Sequence, residues 1–525
     1  MDVMSVIEAR RVALQAELDG GKTPKERNYL GQFATPTLLA SDILMYARTL
    51  LPENVPVRFL DPAIGTGSFY TALRRHFPSE LIKEAVGIEI DPHYGNPARE
   101  LWRHQALKID LGDFTAMKPP VPAKLFNLIV CNPPYVRHHH MGVDEKGRLQ
   151  KATAAACGVR MAGLAGLYCY FLGLAHAWLA EEGIAAWLIP SEFMGVNYGG
   201  PVKRYLLNSV ELLRIHRFDP SELQFGDALV SSTVVCFRKR EASQAHRVEL
   251  SYGGTLSRPT HTRQVPTATL QNVRKWTGLA VNGVTETVES LRLGDFFSIK
   301  RGLATGDNRF FILSRAEIEA RGLPLECFKP ILPGPRFLSS DVIEAESDGT
   351  PKIERQRFIL DCRLPEDLVK KRFPKLWSYL NIGKPKVSGT YLCSRRNPWY
   401  AQENRPPAPF VCTYMGRNLA KREKPFRFIL NRSQATAPNV YLLLYPIPPL
   451  VKALETDPKL GRLIWKFLSS IPPETLLGEG RVYGGGLYKL EPKELANVPA
   501  DAIATLLPMV RKPAKQRDLF GERAA

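Results

Sequence analysis

Seven strand-like runs in the first 240 residues constrain the fold more than any other feature of this chain. They are VRFLDPA (57–63), EAVGIEIDP (84–92), LKIDLGDF (107–114), FNLIVCNPP (126–134), GIAAWLIPSEF (183–193), LLRIHRFDP (212–220) and ALVSSTVVCFRKR (228–240). Helix-like stretches such as GSFYTALRRHF (67–77) and NPARELWRHQAL (96–107) lie between them. Strands alternating with helices imply a doubly wound α/β domain: a mostly parallel sheet with helices on both faces. Such sheets bind ligands at the carboxyl ends of their strands. Polar clusters stand at those ends here: Asp61 with Gly65 and Gly67, then Glu89, then Asp113, then Asn132 to Tyr135. One stretch imitates a membrane span, since residues 162–180 contain only His176 as an ionisable group and are long enough to cross a bilayer. It is rich in Gly and Ala and runs into a strand, so a buried helix within the α/β domain is expected instead.

The texture changes after about residue 240, where prolines and basic residues accumulate and the alternation fades. Residues 1–240 hold 27 Lys and Arg against 24 Asp and Glu, whereas residues 241–525 hold 44 against 28. A domain boundary is therefore expected between 240 and 290, taken at 245/246, with a mixed α+β domain over 246–525. The basic surplus of the second half points to a polyanionic partner, nucleic acid before membrane. The eight cysteines show no CxxC spacing, which suits reduced thiols in a cytosolic protein rather than zinc or disulfides. The first 18 residues contain no signal-peptide core.

The first cluster, LDPAIGTGSF, follows a strand with glycines that let a ligand approach the backbone. Glu89 ends the next strand 22 residues after Gly67, near the position of a ribose-binding carboxylate. The glycines do not follow G-x-G-x-x-G, so a dinucleotide pyrophosphate is disfavoured. Three strand-terminal acids, Asp61, Glu89 and Asp113, suit a cationic, phosphate-free nucleoside, of which S-adenosylmethionine is the common example. Helix capping would account for any one of the three taken singly.

These motifs, in this order, resemble the γ class of N6-adenine DNA methyltransferases, the TaqI-like enzymes of type II restriction–modification systems. GQFATP (31–36), DPAIGTGSF, GIEIDP and GDF resemble that family's cofactor motifs, NPPY (132–135) its catalytic motif, and LYCYF (167–171) a segment lining the cofactor adenine. FGDALVSSTVV (225–235) is similar to the motif whose aromatic residue stacks on the target base. The likeness is dense over 30–240. It thins into phrases beyond, such as IKRGLATGDNRFFIL (299–313), FKPILPG (328–334) and YGGGLYKLEPKELANVPA (483–500).

The resemblance implies a Rossmann-like class I methyltransferase domain followed by a DNA-recognition domain, acting on an adenine flipped out of the duplex. It implies that Asn132 and the Pro133 carbonyl accept the N6 hydrogens, and that Tyr135 and Phe225 stack on the target base. It further implies that Glu89 holds the cofactor ribose, Asp113 its adenine, and Asp61 and Thr35 its methionine end. Gly65, Gly67, Phe33, Ile90, Asn132 and Phe171 would complete the cofactor site. Double-stranded DNA is the implied partner, with any cognate restriction endonuclease a separate protein, no membrane, a monomeric state, and a prokaryotic, nucleoid-associated location.

Two alternatives stay open: an RNA or protein-glutamine methyltransferase with the same NPPY site, and a methylase fused to a nuclease. No PD…(D/E)xK constellation supports the second. The run His138–His140 invites a metal, but adjacent histidines do not converge on one ion without special backbone geometry. It is read as a polar loop beside the site. Arg301, Arg309, Arg395, Arg396 and Arg427 are candidate base readers.

Overall fold

Phe126–Cys131 shows why the sheet forms. All but one of its six residues are buried, and they alternate between two cores. Leu128 and Val130 face one side, Ile129 and Cys131 the other, as expected for a strand covered on both faces. The computed structural model describes residues 3–219, 224, 231–282, 291–417, 424–483 and 487–507. The chain divides into two compact units, Met1–Glu286 with Val482–Gly486, and Thr287–Arg481 with Leu487–Ala525.

The first unit is built on nine strands among the described residues: β1 (Val57–Asp61), β2 (Ile82–Glu89), β3 (Lys108–Leu111), β4 (Phe126–Cys131), β5 (Leu179–Pro190), β6 (Glu211–Arg217), β7 (Ser232–Arg238), β8 (Arg247–Gly254) and β9 (Pro259–Pro266). Their order is β3-β2-β1-β4-β5-β7-β6-β8-β9. Strands β3 to β5 are mutually parallel, while β7 runs antiparallel between β5 and β6. The order reverses at β1, which pairs with β2 on one side and β4 on the other. That switch point opens a crevice at the carboxyl ends, between the loops after β1 and β4 that carry Gly65 and Asn132.

One face is covered by α1 (Val3–Gly20), α3 (Thr37–Leu50), α4 (Ser68–His76) and α5 (Pro92–Trp102), with the short α2 (Pro24–Leu30) before α3. In α3, Leu39, Ala40, Ile43, Leu44 and Ala47 form one buried stripe at helical spacing. The other face carries α6 (Val143–Cys157), α7 (Leu167–Leu174) and α8 (Gly200–Asn208).

The run at 162–180 is not one long buried helix. It becomes the eight-residue α7, a 3₁₀ turn over Ala175–Ala177, and the start of β5 at Leu179. Gly173 packs against Met161, Thr153 and Cys157, so its small size serves close packing. Among the described residues no helix is long and apolar enough to cross a membrane.

The first unit also extends beyond the boundary expected at 245/246. Strand β8 pairs with β6 through Arg214↔Glu249 to Arg217↔Tyr252, and β9 continues outward as a basic edge hairpin. The compositional shift therefore begins inside the first unit, on its edge strands.

The second unit is mixed α+β. Phe297–Arg301, Tyr441–Pro446, Phe410–Thr413, Phe428–Asn431 and Val342–Ile343 form one sheet in that order. The helix Leu460–Ser470 covers it by burying Leu460, Ile464 and Leu468, spaced four apart, against Phe410, Phe428 and Leu442. A three-stranded sheet of Ile312–Leu313, Arg357–Leu360 and Phe328–Ile331 shares a core with Pro374–Val387. All eight cysteines are buried and unpaired.

Candidate active site and cofactor cavity

A cavity of about 440 Å³ lies at the switch point, within the usual size of a small-molecule site. Its wall includes Phe33, Gly65, Glu89, Ile90, Asp113, Asn132 and Phe171, seven of the positions expected at the cofactor. The end of β2 delivers Glu89. One carboxylate oxygen accepts the Gly65 N–H at 3.0 Å and the other the Asp91 N–H at 2.8 Å. Burial pushes its carboxyl above the usual range, against the pull of those two donors. Gly65 has φ +53°, and a Cβ built there meets nothing, so the turn leaves open space. Asp113 follows β3 and is held by the Thr115 N–H and hydroxyl at 2.8 Å, with Arg148 bracing Thr115 from behind. Phe171 packs on Phe114 with ring centroids 5.1 Å apart.

Asn132 sits on the loop leaving β4. Its side-chain nitrogen donates to the Phe33 carbonyl at 2.8 Å and to the Thr35 hydroxyl at 3.1 Å. Its side-chain oxygen is buried and has no hydrogen-bond partner. Tyr135 is clamped at both ends. Its N–H donates to the Gly31 carbonyl at 3.1 Å, and its hydroxyl donates to the Leu188 carbonyl at 3.1 Å. The Tyr135 and Phe33 rings lie 5.8 Å apart and tilted by 47°.

Five expected site residues among the described residues do not line the cavity. Pro133 and Tyr135 are buried beside it, and Pro134 takes the wall position. Gly67 has φ +95°, and a Cβ there would lie 2.6 Å from the Trp102 indole nitrogen, which donates to the Thr66 carbonyl. Its lack of a side chain makes room for the Trp102 indole of α5. Asp61 is 1 % exposed and accepts the Ala63 N–H at 3.1 Å, which shapes the turn behind the cavity. Thr35 is likewise buried and faces Asn132. Phe225 lies outside the described residues.

Burial pushes the Asp61 carboxyl up to about 8, opposed by the Ala63 N–H and reinforced by the charge of Glu89. A folded value above the unfolded one means the native chain keeps a proton that the unfolded chain has released. This contribution to stability is complete at low pH and is lost as pH rises from the usual carboxylate range through about 8. Asp61→Asn keeps an acceptor for Ala63 and removes the titration. Without cofactor it should gain stability over the parent increasingly as pH is raised from about 5 to about 8, measured as the difference in melting temperature. A difference independent of pH contradicts this account of Asp61.

The motifs did not signal the contribution of α1. Gln15 and Asp19 line the cavity, and Asp19 accepts the Tyr94 hydroxyl at 2.9 Å. Within the helix, buried Arg11 pairs with Glu8 at 2.7 Å, and Arg11 ties the helix down by donating to the Thr66 hydroxyl at 3.0 Å. The i, i+3 spacing of Glu8 and Arg11 is the available sequence signal, and it also fits an ordinary solvated pair. His138–His140 form a 3₁₀ turn, with His140 edge-on to Tyr29 at 4.6 Å. Among the described residues no group of three or more His, Cys, Asp or Glu is placed to hold a metal ion.

In the second unit, two of the five candidate base readers are half-buried and each held by several internal hydrogen bonds. Arg427 binds Asp341 at 2.6 Å and the carbonyls of Pro335 and Leu338. Arg396 donates to the carbonyls of Ala304 and Thr305, which pins the GLATGDN turn (302–308) from within. Arg301, Arg309 and Arg395 are exposed; Arg301 stacks 4.1 Å above Tyr414 and donates one bond to the Asn439 carbonyl at 3.3 Å, and Arg395 stacks 4.0 Å above Tyr391 and donates one to its hydroxyl at 2.6 Å.

Two family models match this chain. The Eco57I restriction-modification methylase model matches residues 81–225, and the C-terminal domain of the type II methyltransferase M.Eco57I matches residues 275–519. The type II methyltransferase M.XamI of Xanthomonas campestris pv. amaranthicola is 28% identical over 488 residues, 91% of this chain and 86% of that protein. The chain is a type II restriction–modification methyltransferase. The type II methyltransferase M.AccI of Acinetobacter calcoaceticus is 24% identical to it over 90% of the chain and 85% of that protein. The methyltransferase shares its fold with the type IIL restriction–modification enzyme MmeI, solved in complex with DNA. The TM-score is 0.53 at 13% identity, over 95% of this chain and 69% of that one. It is a DNA methyltransferase of a restriction–modification system, and S-adenosylmethionine is its cofactor. The cavity suits that molecule: the carboxyl groups of Asp19, Glu89, Asp91 and Asp113 line it, as a cationic nucleoside requires, and Gly65 leaves open space in the wall.

Proposed function

We propose that this methyltransferase modifies N6 of an adenine swung out of duplex DNA, protecting host DNA from a separately encoded restriction endonuclease. The observation that carries the reading is the unpartnered, buried side-chain oxygen of Asn132 at the edge of the cofactor cavity. A buried acceptor without a partner is costly and calls for a donor. An exocyclic amine supplies one.

Adenine N6 is a weak nucleophile because its lone pair is delocalised into the ring. Asn132 and the backbone carbonyl of Pro133 accept its two N–H bonds, favouring a pyramidal nitrogen with a localised pair. The rigid Pro-Pro turn aims that carbonyl. Tyr135, its hydroxyl fixed on Leu188, offers a stacking face, and Phe225 is assigned the opposite one. Glu89 binds the ribose hydroxyls of the cofactor, Asp113 its adenine amino group, and Phe33 and Phe171 give apolar contact. Bound S-adenosylmethionine supplies an electrophilic sulfonium methyl. The N6 lone pair forms the new N–C bond as the S–C bond breaks, and the surplus N6 proton leaves to water, so the chain needs no strong base.

The first unit is assigned transfer and the second unit recognition, acting as a monomer. Arg301, Arg309 and Arg395 remain as base or phosphate contacts in the basic half. Long-read sequencing of DNA from a host expressing the protein should show N6-methyladenine at one short sequence context. Methylation confined to cytosine, to RNA or to protein contradicts the assignment.

A further inference from the structure

We infer that Thr35 is a positioning residue for methyl transfer: its hydroxyl, with the Phe33 carbonyl, holds the Asn132 amide so that its oxygen faces the reacting amine. The inference rests on the adenine reading above. A primary amide is nearly symmetric in shape, so exchanging its oxygen and nitrogen costs little unless neighbours distinguish them. Here both N–H bonds are taken, by the Phe33 carbonyl at 2.8 Å and the Thr35 hydroxyl at 3.1 Å. The carbonyl accepts only, so the exchanged amide would set oxygen against oxygen. Thr35 engages the second N–H and stops the group from rocking about the first bond.

Thr35 is itself held. Its carbonyl accepts the Ser68 hydroxyl at 2.9 Å, it is buried, and Pro36 after it restricts its backbone to extended conformations. Phe33 lines the cofactor cavity whereas Thr35 does not. The 33–36 segment thus presents Phe33 and Ala34 to the cavity and turns Thr35 onto the catalytic amide. This differs from a direct Thr35 contact to the methionine end of the cofactor, and the two roles separate experimentally.

The test uses full-length Thr35→Val, Thr35→Ala and Thr35→Ser, with single-turnover methyl transfer at saturating S-adenosylmethionine and duplex DNA, and cofactor Kd by calorimetry. Val is nearly isosteric and Ala covers the case in which Val does not fold. The rate constant of each should fall about 10- to 100-fold while cofactor Kd stays within about twofold, and Ser should restore most of the rate. Weakened cofactor binding with an unchanged rate constant overturns the inference in favour of a cofactor ligand, and an unchanged rate and Kd overturn it outright. Asn132→Ala run in parallel separates the two levels. If Asn132→Ala is inactive but Thr35→Val and Thr35→Ala transfer normally, only this inference fails. If Asn132→Ala transfers normally, the underlying reading fails.

Discussion

Asn132→Ala should lower the methyl-transfer rate constant by about 10³-fold, on the scale seen when one preorganised hydrogen-bonding group is removed from an active site. Binding of cofactor and DNA should change little. The size of the effect follows from how the acceptor is built. Its partners Phe33 and Thr35 occupy the nitrogen side only, leaving the oxygen desolvated and pre-aimed before substrate arrives. No reorganisation is needed at the moment of reaction, so the whole interaction is available to the transition state. Asn132→Asp is the informative companion. It restores an oxygen acceptor but sets its second oxygen against the Phe33 carbonyl, so its rate should lie between parent and Ala. Single-turnover kinetics at saturating cofactor and DNA measure both. Equal rates for Ala and the parent contradict the acceptor role.

Gly31→Ala should be nearly as damaging, although Gly31 touches no reacting atom. It closes α2 with φ +65° and ψ 28°, a conformation costing an L-residue about 1–2 kcal/mol. A Cβ there would lie 2.3 Å from the Tyr135 nitrogen and 2.7 Å from its carbonyl carbon. Those are backbone atoms of the catalytic loop and cannot turn aside as a side chain can. The Gly31 carbonyl also accepts the Tyr135 N–H, so the collision breaks the bond that docks the loop onto the 31–36 segment. Methyl transfer should fall at least about 10²-fold, since displacements near 1 Å have that effect on aligned groups. Gly158→Ala is the control: it closes α6 with φ +73°, has open space at its Cβ and lies outside the cavity wall. A Gly31→Ala protein no slower than Gly158→Ala contradicts the account.

Much of this site was legible in residue types at strand ends. FNLIVC followed by NPPY announces a buried central strand that delivers Asn132 to the carboxyl edge, and the structure places it there. The acids after β2 and β3 likewise reach the cavity. Asp61 does not, because strand side chains alternate between faces and a strand-terminal acid can turn inward as readily as outward. Gly67 looked like a second ligand-facing glycine, yet the tryptophan it accommodates is 35 positions away in sequence. Gln15 and Asp19 were invisible for a similar reason: packing of α1 brings them to the cavity, and no local motif marks them. Arg396 and Arg427 show the limit of charge counting, since a basic composition does not say which guanidinium is already bound by the protein's own carbonyls.

The N6-adenine assignment is tested most directly on the product. Unmodified duplex DNA carrying the recognition context is incubated with the purified full-length protein and isotopically labelled S-adenosylmethionine, then digested to nucleosides and analysed by mass spectrometry. The account predicts label in N6-methyldeoxyadenosine and its loss with Asn132→Ala. Label in N4- or C5-methyldeoxycytidine contradicts it.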